Sequence, residues 1–299
     1  MSAAAGEATG GERRPARIGW LSTGRDEAAR RLLEDVVRRA ASDGLPLDIA
    51  CVFCDREPGE SEASDRFLDT ARGLGFDVAT ISSAASWRRW RERLSGCDVD
   101  PEACRALWRE QFHDEVMWEL EFRDLDVLVL AGYMLIASPQ LCARYPLLNL
   151  HPALPGGPTG TWQEVIWELL RGRAGETGAM MHLATAELDR GPAIAFLRFP
   201  IRGDEWDALW REYLAKEERL GLDGVRDAEG EAEPLFAEIR RRGEEREIPL
   251  LYQTVRQFVL GDLCADAGVV YARDPGTGER LDLPVDLTAL VEAELRARS

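Results

Sequence analysis

Short apolar runs alternate with amphipathic segments along the first part of the chain. The apolar runs have the length of strands, whereas the segments between them place apolar residues every three or four positions, as helices do. This alternation predicts an α/β fold with an open, mainly parallel, twisted sheet that carries helices on both faces. The predicted strands are residues 17–21, 47–53, 76–81, 125–131 and 148–151, and the predicted helices are residues 26–40, 64–74, 114–121, 138–145 and 162–171.

The pattern differs in three other parts of the chain. Residues 87–112 are rich in Trp, Arg and Cys and indicate an insertion with helical parts. Residues 178–184 and 193–199 are typical of paired strands around an acidic loop. The segments predicted after residue 203 are two charged helices (204–216 and 233–258) around an acidic linker (221–231), and a tail with a small hairpin (269–271 and 281) and a final helix (287–298).

Composition and charge narrow the class of protein. Of 299 residues, 45% are hydrophobic and 30% are charged, which is typical of a globular chain that dissolves in water. The formal net charge of −17 disfavours nucleic acid and membrane surfaces as partners, because both carry negative charge. Residues 1–16 are small, polar and charged and lack the apolar core of a signal peptide. We therefore expect a disordered leader and a cytoplasmic protein.

Candidate catalytic side chains cluster around one predicted strand end. Asn149 and His151 are two residues apart, so on a strand they point to the same side. Asp189 follows in the acidic loop. An amide, an imidazole and a carboxylate in this order favour catalysis, although an isolated Asn-x-His pair could equally serve loop backbone groups. His182, between apolar residues, is interpreted as structural or as a support for a catalytic residue. His113, in a predicted helix start, is interpreted as structural.

Several segments occur in the order found in a known family. The chain resembles the 10-formyltetrahydrofolate-dependent formyltransferases, and among them those that act on phosphoribosylglycinamide. The resemblance covers about residues 17–265 and is interrupted by insertions near 87–112 and 205–240. The segments that carry it are residues 52–56, 124–134, 149–155, 178–182 with 187–194, and 247–263.

The resemblance implies a Rossmann-like formyltransferase fold and a reaction. The formyl group would move from 10-formyltetrahydrofolate, as co-substrate, to an amine. Asn149 and protonated His151 would donate to the formyl oxygen, and Asp189 would favour the imidazolium form. No metal is implied. Folate-binding residues carried over from the family are Met134, Leu135, Ile136, Ala184, Thr185, Ala186, Glu187 and Leu188.

The acceptor is the part of the resemblance with the most departures. The resemblance implies a Gly-Ser-Asn-rich loop that binds phosphate. The corresponding segment of this chain, residues 22–27, has a different composition that includes Arg25 and two acidic residues. Thr23, Gly24 and Arg25 could bind an anion at the following helix start, and Glu247 is a further substrate-binding candidate. The loop after the catalytic motif, residues 156–162, also departs from the family, and Leu135 stands at the position of its usual arginine.

Three functions stay open at this point. The leading expectation is formylation of phosphoribosylglycinamide in purine biosynthesis, with a homodimer as a candidate assembly. A second is formylation of another small amine, such as an amino sugar nucleotide. A third is a folate-binding or regulatory protein without catalysis. The expected domains are the leader (1–16), the formyltransferase catalytic domain (17–203), a helical C-terminal part of that domain with an insertion (204–265) and a small C-terminal extension (266–299).

Overall fold

The computed structural model describes residues 16–94, 100–185, 187, 189–266 and 269–297. Within them the chain alternates strands and helices along most of its length. The strands are β1 (Arg17–Ser22), β2 (Asp48–Cys54), β3 (Val78–Thr80), β4 (Val127–Leu130), β5 (Leu147–His151), β6 (Glu176–Leu183), β7 (Ala193–Pro200), β8 (Leu263–Asp266), β9 (Val269–Arg273), β10 (Arg280–Leu281) and β11 (Val285–Asp286).

Helices connect most of these strands. Several begin at a side chain that accepts a hydrogen bond from the first turn, such as Asp26, Ser138 and Thr161. The helices are α1 (Glu27–Ser42), α2 (Glu62–Gly73), α3 (Ser83–Arg93), α4 (Pro101–Leu120), α5 (Pro139–Arg144), α6 (Trp162–Arg171), α7 (Asp207–Glu229), α8 (Pro234–Leu260) and α9 (Thr288–Arg296).

An eight-stranded sheet, in the order β11-β7-β6-β5-β4-β1-β2-β3, organises the fold. Neighbouring strands in it are parallel except where β6 pairs with β5 and β7. Its strands are buried on both faces: Trp20 and Val52 pack into one apolar cluster, and Leu21 and Phe53 into another on the opposite face. The predicted α/β class, with a mainly parallel sheet between two layers of helices, is confirmed.

Two predicted segments are corrected by the structure. Residues 101–120 form the single helix α4, so the predicted helix 114–121 is the second half of a longer element that begins within the expected insertion. The predicted acidic linker, residues 221–231, is helical up to Glu229 as the second half of α7. Gly221, with φ of 72°, kinks α7, and the buried Val225 anchors the part that follows.

The tail contributes to both sheets. The predicted hairpin is present as β9 and β10, but β8 adds a third antiparallel strand in a segment for which no strand was predicted. The two-residue strand β11 pairs in parallel with β7 at the edge of the main sheet, which was not predicted. Nowhere in the described ranges does a helix have the length and apolarity needed to cross a membrane.

Candidate active site

A cavity of about 600 Å³ opens at the carboxyl ends of β4 and β5. Open parallel sheets bind ligands at this edge, because the loops that leave the strand ends meet there. The cavity brings together side chains that are far apart in the sequence. Those predicted from the sequence to act here and found in its wall are Arg25, Met134, Leu135, Ile136, Asn149, His151, Ala184, Thr185, Asp189 and Glu247.

Asn149 is oriented by a histidine on the neighbouring strand. In the antiparallel pairing of β5 and β6, Asn149 lies opposite His182. Nδ2 of Asn149 is 3.1 Å from Nε2 of His182, and Nδ1 of His182 is 3.0 Å from the carbonyl oxygen of Leu183. A carbonyl can only accept, so Nδ1 carries the proton and Nε2 accepts from the amide. Burial lowers the pKa of His182 and so favours this neutral form.

His151 is almost fully buried between a backbone carbonyl and a carboxylate. Its Nε2 lies 2.8 Å from the carbonyl oxygen of Pro158 and therefore carries a hydrogen. Its Nδ1 lies 3.6 Å from Oδ2 of Asp189. Since a protonated Nδ1 would face this carboxylate, the site can hold an imidazolium ion.

Asp189 connects that loop to both histidines. Its backbone is left-handed, with φ of 54°, a conformation that Asp adopts more readily than most residues. Oδ2 accepts a hydrogen bond of 3.1 Å from the backbone N–H of Gly160, and Oδ1 lies 3.7 Å from Nε2 of His182. The carboxylate, 7% exposed, is thus fixed where it can influence His151.

A short segment between β4 and α5, residues 132–138, forms one wall of the cavity and is called the cavity loop below. Gly132 begins it with φ of 71°, which glycine adopts without steric cost. The backbone N–H of Thr23 donates to the carbonyl of Gly132, and the backbone N–H of Met134 donates to Oγ1 of Thr23 at 2.9 Å. Thr23 therefore holds the first three residues of the loop through these two hydrogen bonds.

On the opposite wall, Ala184 donates its backbone N–H to the carbonyl of Leu147 at 2.7 Å, and the hydroxyl of Thr185 donates to the carbonyl of Glu187. Glu187 is exposed. Two of the predicted folate-binding residues, Ala186 and Leu188, lie outside the described residues.

The three candidates for anion binding after β1 have different surroundings. Arg25 lines the cavity and is exposed, with its guanidinium 3.8 Å from the carboxylate of Asp26. Thr23 is buried, and the φ of Gly24 is 56°. Asp26 caps α1 by accepting from the backbone N–H of Ala29, so a carboxylate already occupies the position that an anion would take there.

Sequence reasoning missed Arg240 and Trp162, which join Glu247 in the cavity wall. Nη1 of Arg240 lies 2.6 Å from Oε1 of Glu247, and its guanidinium stacks 4.5 Å from the ring of Trp162. Burial raises the pKa of Glu247, whereas Arg240 lowers it. The signal was present in the sequence, because residues 240 and 247 are two helical turns apart on α8.

No group of three or more potential metal ligands occurs within the described ranges. The polar side chains in the cavity wall include the amide of Asn149, the imidazoles of His151 and His182, and the carboxylates of Asp189 and Glu247.

Comparison with known proteins identifies the family. A family profile described as "Formyl transferase" matches residues 31–222, more than half of the chain, and the chain belongs to this family. The match includes Asn149, His151 and Asp189 but excludes Arg25 and Glu247. The residues predicted for catalysis thus lie within the segment that the family profile matches, and those predicted for the acceptor lie outside that segment.

The proteins that are similar in sequence are named for one reaction. The phosphoribosylglycinamide formyltransferase of Mycobacterium tuberculosis is 36% identical over 214 residues, which cover 71% of this chain and 84% of that protein. The Escherichia coli enzyme of the same name is 34% identical over 119 residues, 38% of this chain and about half, 53%, of its own length. The structure of the Coxiella burnetii enzyme shares the fold, with a TM-score of 0.57 and 17% identity over 90% of this chain and 97% of that one.

Proposed function

We propose that this protein transfers the formyl group of 10-formyltetrahydrofolate to the amine of phosphoribosylglycinamide. The observation that carries the proposal is the convergence of Asn149, His151 and Asp189 in one cavity, between the two walls that carry the predicted folate-binding residues. The names of the similar proteins support the choice of acceptor. The amine would attack the formyl carbon, the bond from that carbon to N10 of the folate would break, and a proton would pass from the amine to N10.

Asn149 stabilises the negative charge that develops on the formyl oxygen. One hydrogen of its amide nitrogen is held by His182, and the second, for which the described part of the chain shows no acceptor, can be donated to a ligand in the cavity. A donor whose direction is fixed before the reaction stabilises the transition state without the cost of reorientation. His182 is therefore a positioning residue: it acts through Asn149.

His151 and Asp189 handle the proton. Nδ1 of His151 faces the Asp189 carboxylate at 3.6 Å, so this carboxylate stabilises positive charge that forms on the ring during the reaction. Nε2–H of His151 donates to the formyl oxygen when that oxygen replaces the carbonyl of Pro158 as its acceptor. Together the two residues supply a positive charge and a proton store at the reacting centre.

The cavity also has two chemically different regions for the two substrates. The cavity loop presents Met134, Leu135 and Ile136, an apolar surface against which a pterin ring can pack. The other region presents charge: Arg25 for the phosphate of the acceptor and Glu247 for its hydroxyl or amine groups. An acceptor with both an anionic and a hydrogen-donating part fits this distribution.

Complementation of a bacterial strain that cannot formylate phosphoribosylglycinamide tests the proposal in cells. Expression of the wild-type chain is expected to restore growth without added purines, and the Asp189→Asn variant is expected to fail at equal soluble protein level. Absence of growth with soluble wild-type protein would remove phosphoribosylglycinamide as the acceptor. Growth that persists with Asp189→Asn would remove the assigned role of that carboxylate.

A further inference from the structure

We propose that His113, a buried residue of α4 outside the cavity wall, is a positioning residue that holds the cavity loop in the shape that binds the folate. The inference rests on the proposed function, because it assigns the loop to the folate. It concerns a residue that sequence analysis placed in a helix start and interpreted as structural. In the structure His113 lies in the second half of α4 and is 0% exposed.

His113 contacts both ends of the loop with its two ring nitrogens. The backbone N–H of Ser138 donates to Nδ1 of His113 at 3.1 Å, and the hydroxyl of Tyr133 lies 3.1 Å from Nε2. Because an N–H can only donate, Nδ1 must be unprotonated, and Nε2 then carries the hydrogen that is donated to Tyr133. One neutral imidazole thus joins the second and the last residue of the loop.

The loop and α5, both within the described residues, offer no other acceptor for the backbone N–H of Ser138. Ser138 is the N-cap of α5, and its hydroxyl accepts from the backbone N–H of Leu141. A backbone N–H at an N-cap has no acceptor within its own helix, so the buried N–H of Ser138 depends on Nδ1 of His113. Without this acceptor, the buried N–H would lack a hydrogen bond, and a shift of the loop end that brings it to water would lower the free energy.

Tyr133 transmits the second contact to the cavity. It lines the cavity and is 8% exposed, and its hydroxyl points away from solvent to His113. A buried hydroxyl that loses its partner is costly, so the ring would turn to bring the hydroxyl to water. Because Tyr133 directly precedes Met134, that rotation would also displace Met134, which is part of the apolar surface offered to the folate.

Neutral histidine suits this role over the working pH range. Burial, and to a smaller extent the charge of Arg109, lowers the pKa of His113 to about 4. Nδ1 therefore remains an acceptor at neutral pH. Thr23 fixes the start of the loop through Gly132 and Met134, and His113 fixes Tyr133 and Ser138, so the loop is held along its length by buried polar groups from α4 and from the end of β1.

Three substitutions at His113 separate positioning from simple packing. His113→Phe keeps a ring of similar size but removes both contacts. His113→Asn keeps an acceptor near the position of Nδ1, and His113→Gln keeps a donor near the position of Nε2. Tyr133→Phe, which removes one hydroxyl only, serves if His113→Phe does not fold. Trp118→Phe, an exposed change on the same helix, is the matched control.

The experiment measures tetrahydrofolate binding by calorimetry, both KM values, and hydrogen exchange of the Ser138 amide. For His113→Phe we expect tetrahydrofolate affinity to fall and the KM for 10-formyltetrahydrofolate to rise, each roughly 10- to 100-fold. The KM for the acceptor should be unchanged, and Ser138 should exchange faster. His113→Asn should recover most of the affinity and the slow exchange.

Two failures are distinguishable. If wild-type protein binds no tetrahydrofolate, the proposed function fails, whatever the exchange data show. If wild type binds it and both His113→Phe and Tyr133→Phe bind it equally well, the folate assignment stands and the role of His113 is overturned. Equal rises in the KM of both substrates would likewise overturn it, because a packing defect alone produces that result.

Discussion

Nδ1 of His151 lies 3.6 Å from Oδ2 of Asp189, while Nε2 of the same ring donates to the carbonyl oxygen of Pro158. The two nitrogens of the imidazole therefore have different tasks: one is oriented toward a carboxylate and the other is held by the loop that follows β5. Asp189 is itself fixed by the backbone N–H of Gly160 in that loop. His151 and Asp189 are thus both hydrogen-bonded or oriented by the loop between β5 and α6.

Asp189→Asn should lower kcat by about 100- to 10,000-fold, because the neutral amide no longer stabilises an imidazolium ion at His151. Folate affinity should change little, since the apolar wall is untouched. Steady-state kinetics with a tetrahydrofolate-release assay measures both. Asp69→Asn, an exposed carboxylate on α2, is the control. Unaltered kcat in Asp189→Asn would refute the assigned role.

His182→Phe should lower kcat by about 10- to 100-fold through loss of the acceptor that orients Asn149. A double-mutant cycle isolates this effect. In an Asn149→Ala background, His182→Phe should cost almost nothing more, because the residue it orients is gone. If the two losses multiply instead, His182 acts independently of Asn149.

Arg240→Met should raise the KM for the acceptor about 10-fold and leave the KM for the folate unchanged. Arg240 lowers the pKa of Glu247 against the larger effect of burial, which raises it. Without the guanidinium, ionisation of Glu247 requires a higher pH, so the pH at which acceptor binding weakens should move upward. Arg241→Met, the exposed neighbour that pairs with Glu238 and Glu245, should show neither change.

The protein should lose stability on mild acidification partly through His113. The pKa of this buried histidine is about 4, below the 6.5 of an unperturbed histidine, so between these two pH values the unfolded chain binds a proton and the folded protein does not. Stability from this residue is full above pH 6.5 and falls as the pH drops toward 4. Between pH 7.5 and 5.5 the loss is about 1 kcal/mol.

Urea unfolding at the two pH values checks this, with His113→Gln as the reference that lacks the titrating group. The difference in unfolding free energy between wild type and variant should shrink at pH 5.5. A constant difference would mean that His113 is protonated in the folded protein, which contradicts its role as an acceptor for Ser138.

The sequence was sufficient for most strands of the main sheet and for the common orientation of two candidate site residues. Apolar runs of strand length are hard to place anywhere but inside a doubly covered sheet, and the Asn-x-His spacing put Asn149 and His151 on one side of β5. The pairing of Asn149 with His182 was not predictable in the same way. It depends on the register between β5 and β6, which is set by the helix and loops between them and leaves no local pattern.

Three other features could not be predicted, because their sequence pattern is weak or because they depend on tertiary contacts. β11 has two residues, too few for any periodicity, and is held by β7. The second half of α7 is acidic and was interpreted as a linker, yet one buried residue, Val225, is enough to dock it. Arg240 and Glu247 were two turns apart on a predicted helix, but their relation to the cavity required the position of α8.

The central claim, formyl transfer to phosphoribosylglycinamide at Asn149, His151 and Asp189, is tested most directly with 10-formyltetrahydrofolate that carries ¹³C in its formyl group. Purified protein is incubated with this compound and phosphoribosylglycinamide, and the products are followed by mass spectrometry. The account predicts that the label appears in the formylated acceptor in equal amount to released tetrahydrofolate, and that Asp189→Asn slows both. Release of the label only as formate, or binding of the folate without any transfer to this amine, would contradict it.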